Sequence, residues 1–214
     1  MDFYTNVISY GNSILVRGVK NGERITAREK YQPTLFVPTQ KETQYKTLDG
    51  RSLTPVKQQS IKHAKEFLSQ YSEQQNLIYG MTRYNFQYIS DTWKSEINWK
   101  MEDILVVTID IEVASENGFP KVEDSIEELL SITIKNHQSK QIVVFGVGDY
   151  TNNREDVRYV KCESEDELLK KFLTFWETHK PDVVTGWNSR FYDLPYLIHR
   201  IKYRFGEDEI KRLS

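Results

Sequence analysis

The 214-residue chain is short of cysteine and histidine, and it has no excess of charge of either sign. Its single cysteine, Cys162, cannot close an internal disulfide, and no CxxC or Cys/His cluster offers a structural zinc site. A reducing compartment suits that composition. The four histidines, His63, His137, His179 and His199, are scattered at no ligand spacing, and no Ser-His-Asp or Cys-His arrangement can be argued from them. A formal net charge of −2 excludes the global basic field of a histone-like or arm-like binder. It leaves room for an enzyme that grips nucleic acid locally. No apolar run approaches the roughly 18 residues of a membrane span. The opening Met1-Asp2-Phe3-Tyr4-Thr5-Asn6 has neither the basic nor the apolar segment of a secretory signal. The expectation is a cytoplasmic protein with no membrane partner. Repeats, low-complexity tracts and Gly/Ser-rich linkers are lacking too.

What is present is an ordinary globular balance, 38% hydrophobic and 28% charged. Residues 1–103 read as a small β-rich amino-terminal domain. Asn21-Gly22 between Ile14-Leu15-Val16 and Ile25-Thr26-Ala27 predicts a hairpin, and Asp49-Gly50 a second turn. Pro33 and Pro38 bracket a short edge strand within Tyr31–Pro38. Ile61, Ala64, Leu68 and Tyr71 have the spacing of one helical stripe. The aromatic stretch 84–99 is expected to be extended.

From Ile104 the pattern changes. Ile104 to Val113 is almost continuously apolar, which predicts a strand buried on both faces. Ile132-Thr133-Ile134 and Ile142-Val143-Val144-Phe145 predict an antiparallel pair. Ser164-Glu165-Asp166-Glu167 reads as a capping box opening a helix that Lys180-Pro181 ends. Asp182 to Thr185 is a short strand, Gly186-Trp187-Asn188 a turn, and a last helix begins near Asp193 with Pro195 in its first turn. The order β-β-β-α-β-α suits an α/β, mixed-sheet fold of ribonuclease-H-like type. The chain closes at Leu213-Ser214 just after a predicted helix, so the domain 104–214 is expected to be truncated, lacking a final strand and helix.

The chemistry lies in carboxylates. Asp110 and Glu112 are two apart on one strand and therefore share a face. Two like charges on one face repel, and a divalent cation between them is the economical resolution. The spacing alone is weak: 31 acids in 214 residues produce about four or five such pairs by chance. Asp193 reads by itself as a helix N-cap. The strand before it should lie beside the first strand, which would bring Asp193 near Asp110.

At this point a family comes into view. Asp110-Ile111-Glu112 resembles the first exonuclease motif of the family-B DNA polymerases, and Asn188 through Phe191-Tyr192-Asp193 resembles the second. Tyr31-Gln32-Pro33-Thr34-Leu35-Phe36, Ser90-Asp91-Thr92, Gly118-Phe119-Pro120, Gly186-Trp187-Asn188 and Phe205-Gly206-Glu207 are similar to stretches of the replicative polymerases of T-even-like bacteriophages. The resemblance implies a 3′→5′ proofreading exonuclease in a DNA-directed DNA polymerase, in the host cytoplasm. It implies two Mg²⁺ or Mn²⁺ ions held by Asp110, Glu112 and Asp193. It implies Phe119 stacking on a terminal base of DNA, and Asn188 either orienting substrate or holding its turn. Implied partners are a single-stranded 3′ end, primer-template DNA, the remainder of a polymerase and, through residues 1–103, RNA. The family's third motif, Tyr-x-x-x-Asp, is expected to be missing from these 214 residues, and the polymerase motifs with it. A fragment that cleaves weakly or not at all is therefore expected. The alternative is a non-catalytic RNA- or template-binding module, or a subunit of a split polymerase.

Overall fold

The computed structural model describes residues 2–71, 73–74, 77–116 and 118–213. They gather into two compact units, Met1–Asp103 and Ile104–Ser214.

In the first unit, β1 (Phe3–Tyr10), β2 (Ser13–Lys20) and β3 (Glu23–Lys30) form an antiparallel three-stranded sheet. Asn21 and Gly22 both have positive φ, 53° and 79°, as the expected two-residue hairpin requires. β4 (Thr34–Pro38) pairs with β5 (Leu53–Lys57) in a separate ribbon. Helix α1 (Ile61–Gln70) is capped by Ser60, whose Oγ accepts from the amide of His63. Val7, Ile14, Val16, Leu35, Ile61 and Ala64 form one core with Tyr31, Tyr84 and Tyr88.

The stretch 84–99 departs from expectation, because Tyr84–Thr92 is a helix, α2. Its buried residues Tyr84, Gln87 and Tyr88 fall at i, i+3 and i+4. Gln87 explains the packing. Its Oε1 accepts from Thr34 N (3.0 Å) and Tyr31 Oη (2.9 Å), and its Nε2 donates to Thr34 O (2.6 Å). One side chain thereby meets both backbone groups of Thr34 that a neighbouring strand would have met.

The second unit is an α/β, ribonuclease-H-like fold. β6 (Val106–Val113), β7 (Leu129–Asn136), β8 (Ile142–Val147), β9 (Val157–Cys162) and β10 (Val183–Thr185) form a five-stranded mixed sheet in the order β10-β6-β7-β8-β9. β6–β7 and β7–β8 are antiparallel; β8–β9 and β10–β6 are parallel. Four strands, not three, precede the crossover helix α3 (Glu165–His179), because Val157–Cys162 is an additional strand at the sheet edge. Ser164 Oγ caps α3 by accepting from Glu167 N. Glu167 Oε2 reaches back to the amide of Glu163, one residue earlier than in the usual box. Lys180, at φ 41°, turns the chain out of the helix before Pro181.

Helices α3 and α4 (Asp193–Phe205) both pack on the sheet face that carries Val107, Ile109 and Ile111. β6 is therefore an inner strand of its sheet, between β10 and β7, but buried on one face only, which corrects the two-faced expectation. Its other residues, Asp110 and Glu112, are exposed. The apolar run had concealed an alternation, because half-buried Val106 and Val113 also look like core.

Candidate active site

The site begins where β10 leaves β6. The two strands pair only from Val106 to Thr108, opposite Val183 to Thr185. Beyond that, β6 needs other partners along the edge it turned to β10. The chain passes so close at Gly186 that a Cβ there would lie 2.5 Å from Ile109 O and 2.9 Å from Ser189 Cβ. Only glycine fits that approach. Asn188 then turns the chain at φ 57°, and its carbonyl accepts from Phe191 N (2.9 Å) and Tyr192 N (3.0 Å). Asn188 is exposed and its backbone makes the turn; its placement fits the turn-holding role.

That turn delivers α4, and its first residue, Asp193, reaches across to β6. Asp193 Oδ1 accepts from Ile111 N at 3.1 Å, in a side chain only 4% exposed. The carboxylate thus completes the β6 ladder where β10 no longer can. The residue before it, Tyr192, is the N-cap of α4 and its side chain makes no cap bond, so Asp193 stands one position inside the expected N-cap. Burial raises the carboxyl above its ordinary range, and the charge of Asp110 adds to the rise. The amides of Ile111 and of Asp193 itself oppose it. Asp193 thereby meets the backbone between Asp110 and Glu112. The Tyr192 hydroxyl, pushed up by burial, also feels Asp193 and Glu112.

Aromatic side chains surround this corner. Phe119, on the loop after β6, is 82% exposed, and its ring lies 5.2 Å from that of Tyr192. It is not the buried loop anchor that an apolar loop residue often is. Trp187 and Phe191, on the turn before α4, are 95% and 73% exposed, and the Arg190 guanidinium stands 5.6 Å from the Phe191 ring centre. Within Gly186-Trp187-Asn188, Trp187 carries no role that the resemblance implies. Its signal was an aromatic inside a turn, where no core can claim it.

Carboxylates alone are the donor chemistry of a hard cation such as Mg²⁺ or Mn²⁺. Yet among the described residues no three His, Cys, Asp or Glu side chains are gathered into a set that could hold a metal ion. The donor types fit, and the enclosure does not. The expected absence of Tyr-x-x-x-Asp needs one correction: Tyr45 and Asp49 have that spacing. They lie in the first unit, where Asp49 accepts from Thr47 and from Arg51 Nε (2.9 Å) within a turn. The motif spacing does not recur after Asp193.

The fold is a ribonuclease-H-like mixed sheet with two exposed carboxylates on an inner strand, β6. The match to known proteins is narrower. Residues 53–214 match the family model for the exonuclease domain of DNA polymerase family B, and the chain belongs to that family. It is 30% identical to a DNA-directed DNA polymerase of Escherichia phage RB69 and 28% identical to that of Enterobacteria phage T4. Both alignments cover 100% of this chain but only 27% and 26% of the relatives. A DNA polymerase catalytic subunit of Human herpesvirus 7 (strain JI) is 32% identical over 58% of the chain and 13% of its own length. The chain thus spans about a quarter of the length of the two phage polymerases.

Proposed function

We propose that this chain is the amino-terminal part of a replicative DNA-directed DNA polymerase, in which residues 104–214 belong to a 3′→5′ proofreading exonuclease. The observation that carries this reading is the meeting of Asp193 with the β6 amide between exposed Asp110 and Glu112. Asp110, Glu112 and Asp193 are the donors this chain would contribute to a Mg²⁺ or Mn²⁺ site, and by themselves they do not enclose one. When bound, such ions supply Lewis acidity to a phosphodiester. The chain's own residues do the rest. Phe119, Trp187 and Phe191 offer exposed rings to the bases of a single-stranded 3′ end. Asn188 holds the turn that aims Asp193. The open face of the sheet leaves the two β6 carboxylates accessible to a phosphate backbone.

With no Tyr-x-x-x-Asp spacing after Asp193 in these 214 residues, the chain by itself is expected to cleave weakly or not at all. The test is digestion of a 5′-labelled single-stranded DNA in Mn²⁺, beside Asp110→Ala. Expected are trace cleavage and a Mn²⁺ affinity that falls in the variant. Vigorous cleavage abolished by Asp110→Ala would refute the weak-activity claim while supporting the site. Tight binding of single-stranded RNA or template DNA, with Mn²⁺ affinity unchanged by Asp110→Ala, would instead support a non-catalytic module acting through residues 1–103.

A further inference from the structure

The segment from Ala114 to Glu128 that carries Phe119 has no helix or strand among its described residues, and a connection of that length wanders unless it is pinned. The pins come from one face of α4. The Tyr192 ring meets Phe119 at 5.2 Å. Four residues on, Tyr196 Oη donates to Glu127 O at 2.8 Å. His199 Nδ1 lies 2.8 Å from Val122 O. Arg200 Nη1 donates to Ile126 O (2.7 Å) and Ser125 O (3.1 Å). Positions 192, 196, 199 and 200 form one helical stripe. The adjoining stripe, Asp193, Leu197 and Ile201, is buried in the sheet core.

Arg200 is the deepest of these pins. It is 4% exposed, and its Nε and Nη2 clasp Glu165 Oε1 and Oε2, each at 2.6 Å. Glu165, itself 3% exposed and the first residue of α3, also accepts from Leu129 N at 2.8 Å. The bidentate pair therefore joins α4, α3, the start of β7 and the loop. It also stands behind Ser125, which is buried at a positive φ of 42°. A lysine could not do this, because one ammonium cannot span a carboxylate and two carbonyls in a planar fork.

We propose that Arg200, with Glu165, is a positioning residue of the exonuclease site. It fixes the Phe119 loop to the helix that places Asp193, so the terminal base and the carboxylates are held in one register. This rests on the reading of Phe119 as a base-stacking residue.

The test compares affinities of the 214-residue chain for two single-stranded DNAs, one ending in a 3′ base and one in a 3′ abasic site. Stacking of that base should give wild type a preference of about 5- to 150-fold. Phe119→Ala should reduce it to near unity. Arg200→Lys should do the same, with faster hydrogen exchange at 119–128 and unchanged protection in β6 and α3. Loss of general fold stability would weaken both DNAs alike and leave the ratio intact. If Arg200→Lys loosens the loop yet keeps the wild-type ratio, the positioning role is overturned and the exonuclease reading survives. If wild type binds neither DNA, or shows no preference that Phe119→Ala removes, the reading of Phe119 fails and the proposal falls with it. Should Arg200→Lys not fold, Glu165→Gln keeps the side chain's shape and its bond from Leu129 N, removes the charge that holds the guanidinium, and carries the same outcomes.

Discussion

At the scale of single residues, Asp193 has an unusual position. Its carboxyl accepts a hydrogen bond from a strand amide, yet burial and the neighbouring Asp110 disfavour its charge. The native carboxyl therefore ionises at higher pH than the unfolded one. Its stabilising contribution is complete below the unfolded carboxyl range and declines as pH rises through the native ionisation. Asn at this position can still accept from Ile111 N and carries no charge. In EDTA, Asp193→Asn is expected to melt above wild type at pH 7. The gap should close below about pH 4, where the unfolded carboxyl also holds its proton. A variant that melts lower at pH 7 would mean that the hydrogen bond outweighs the buried charge. That Asp110 and Glu112 share one face of a strand was legible from their two-residue spacing. The buried bond of Asp193 was not, because it depends on where another strand ends.

At the scale of elements, the sequence announced most of the second unit. Ser164 as a cap, Lys180-Pro181 as a stop and Asn21-Gly22 as a hairpin are local chemistry, and each holds in the structure. Two elements did not read correctly. α2 carries Tyr84, Phe86, Tyr88 and Trp93 in or beside it, and aromatic β-propensity masked its i, i+3, i+4 spacing. β9 is a half-buried edge strand whose alternation of Val and charged residues is short and weak. The connection from β10 to α4 is sensitive to substitution at Gly186. Gly186→Ala would drive a methyl into Ile109 O and Ser189. A loss of about 1–3 kcal/mol is expected, as for other overpacked sites. Urea denaturation checks it, and an unchanged midpoint would mean that the turn can move aside.

At the scale of the whole molecule, two separate cores underlie the two units. The family match runs from residue 53, inside the first unit, to residue 214. We propose 1–103 and 104–214 as two domains, the second being the exonuclease domain. If so, residues 104–214 alone should fold and melt cooperatively with dispersed amide resonances. A molten 104–214 beside a cooperatively melting 1–214 would mean that its core needs residues from the first unit. The resemblance was legible because its motifs spread over nearly the whole chain.

The hydrogen bond between Asp193 and Ile111 has one more consequence. A backbone amide in the middle of a sheet normally reports only on the sheet. This one is bonded to a carboxylate of the candidate site, and it sits between two others. Any cation or phosphate that changes the charge at Asp193 must change the polarity felt by that single N–H. The strand thus carries an internal gauge of occupancy, readable at one resonance, without a label and without turnover.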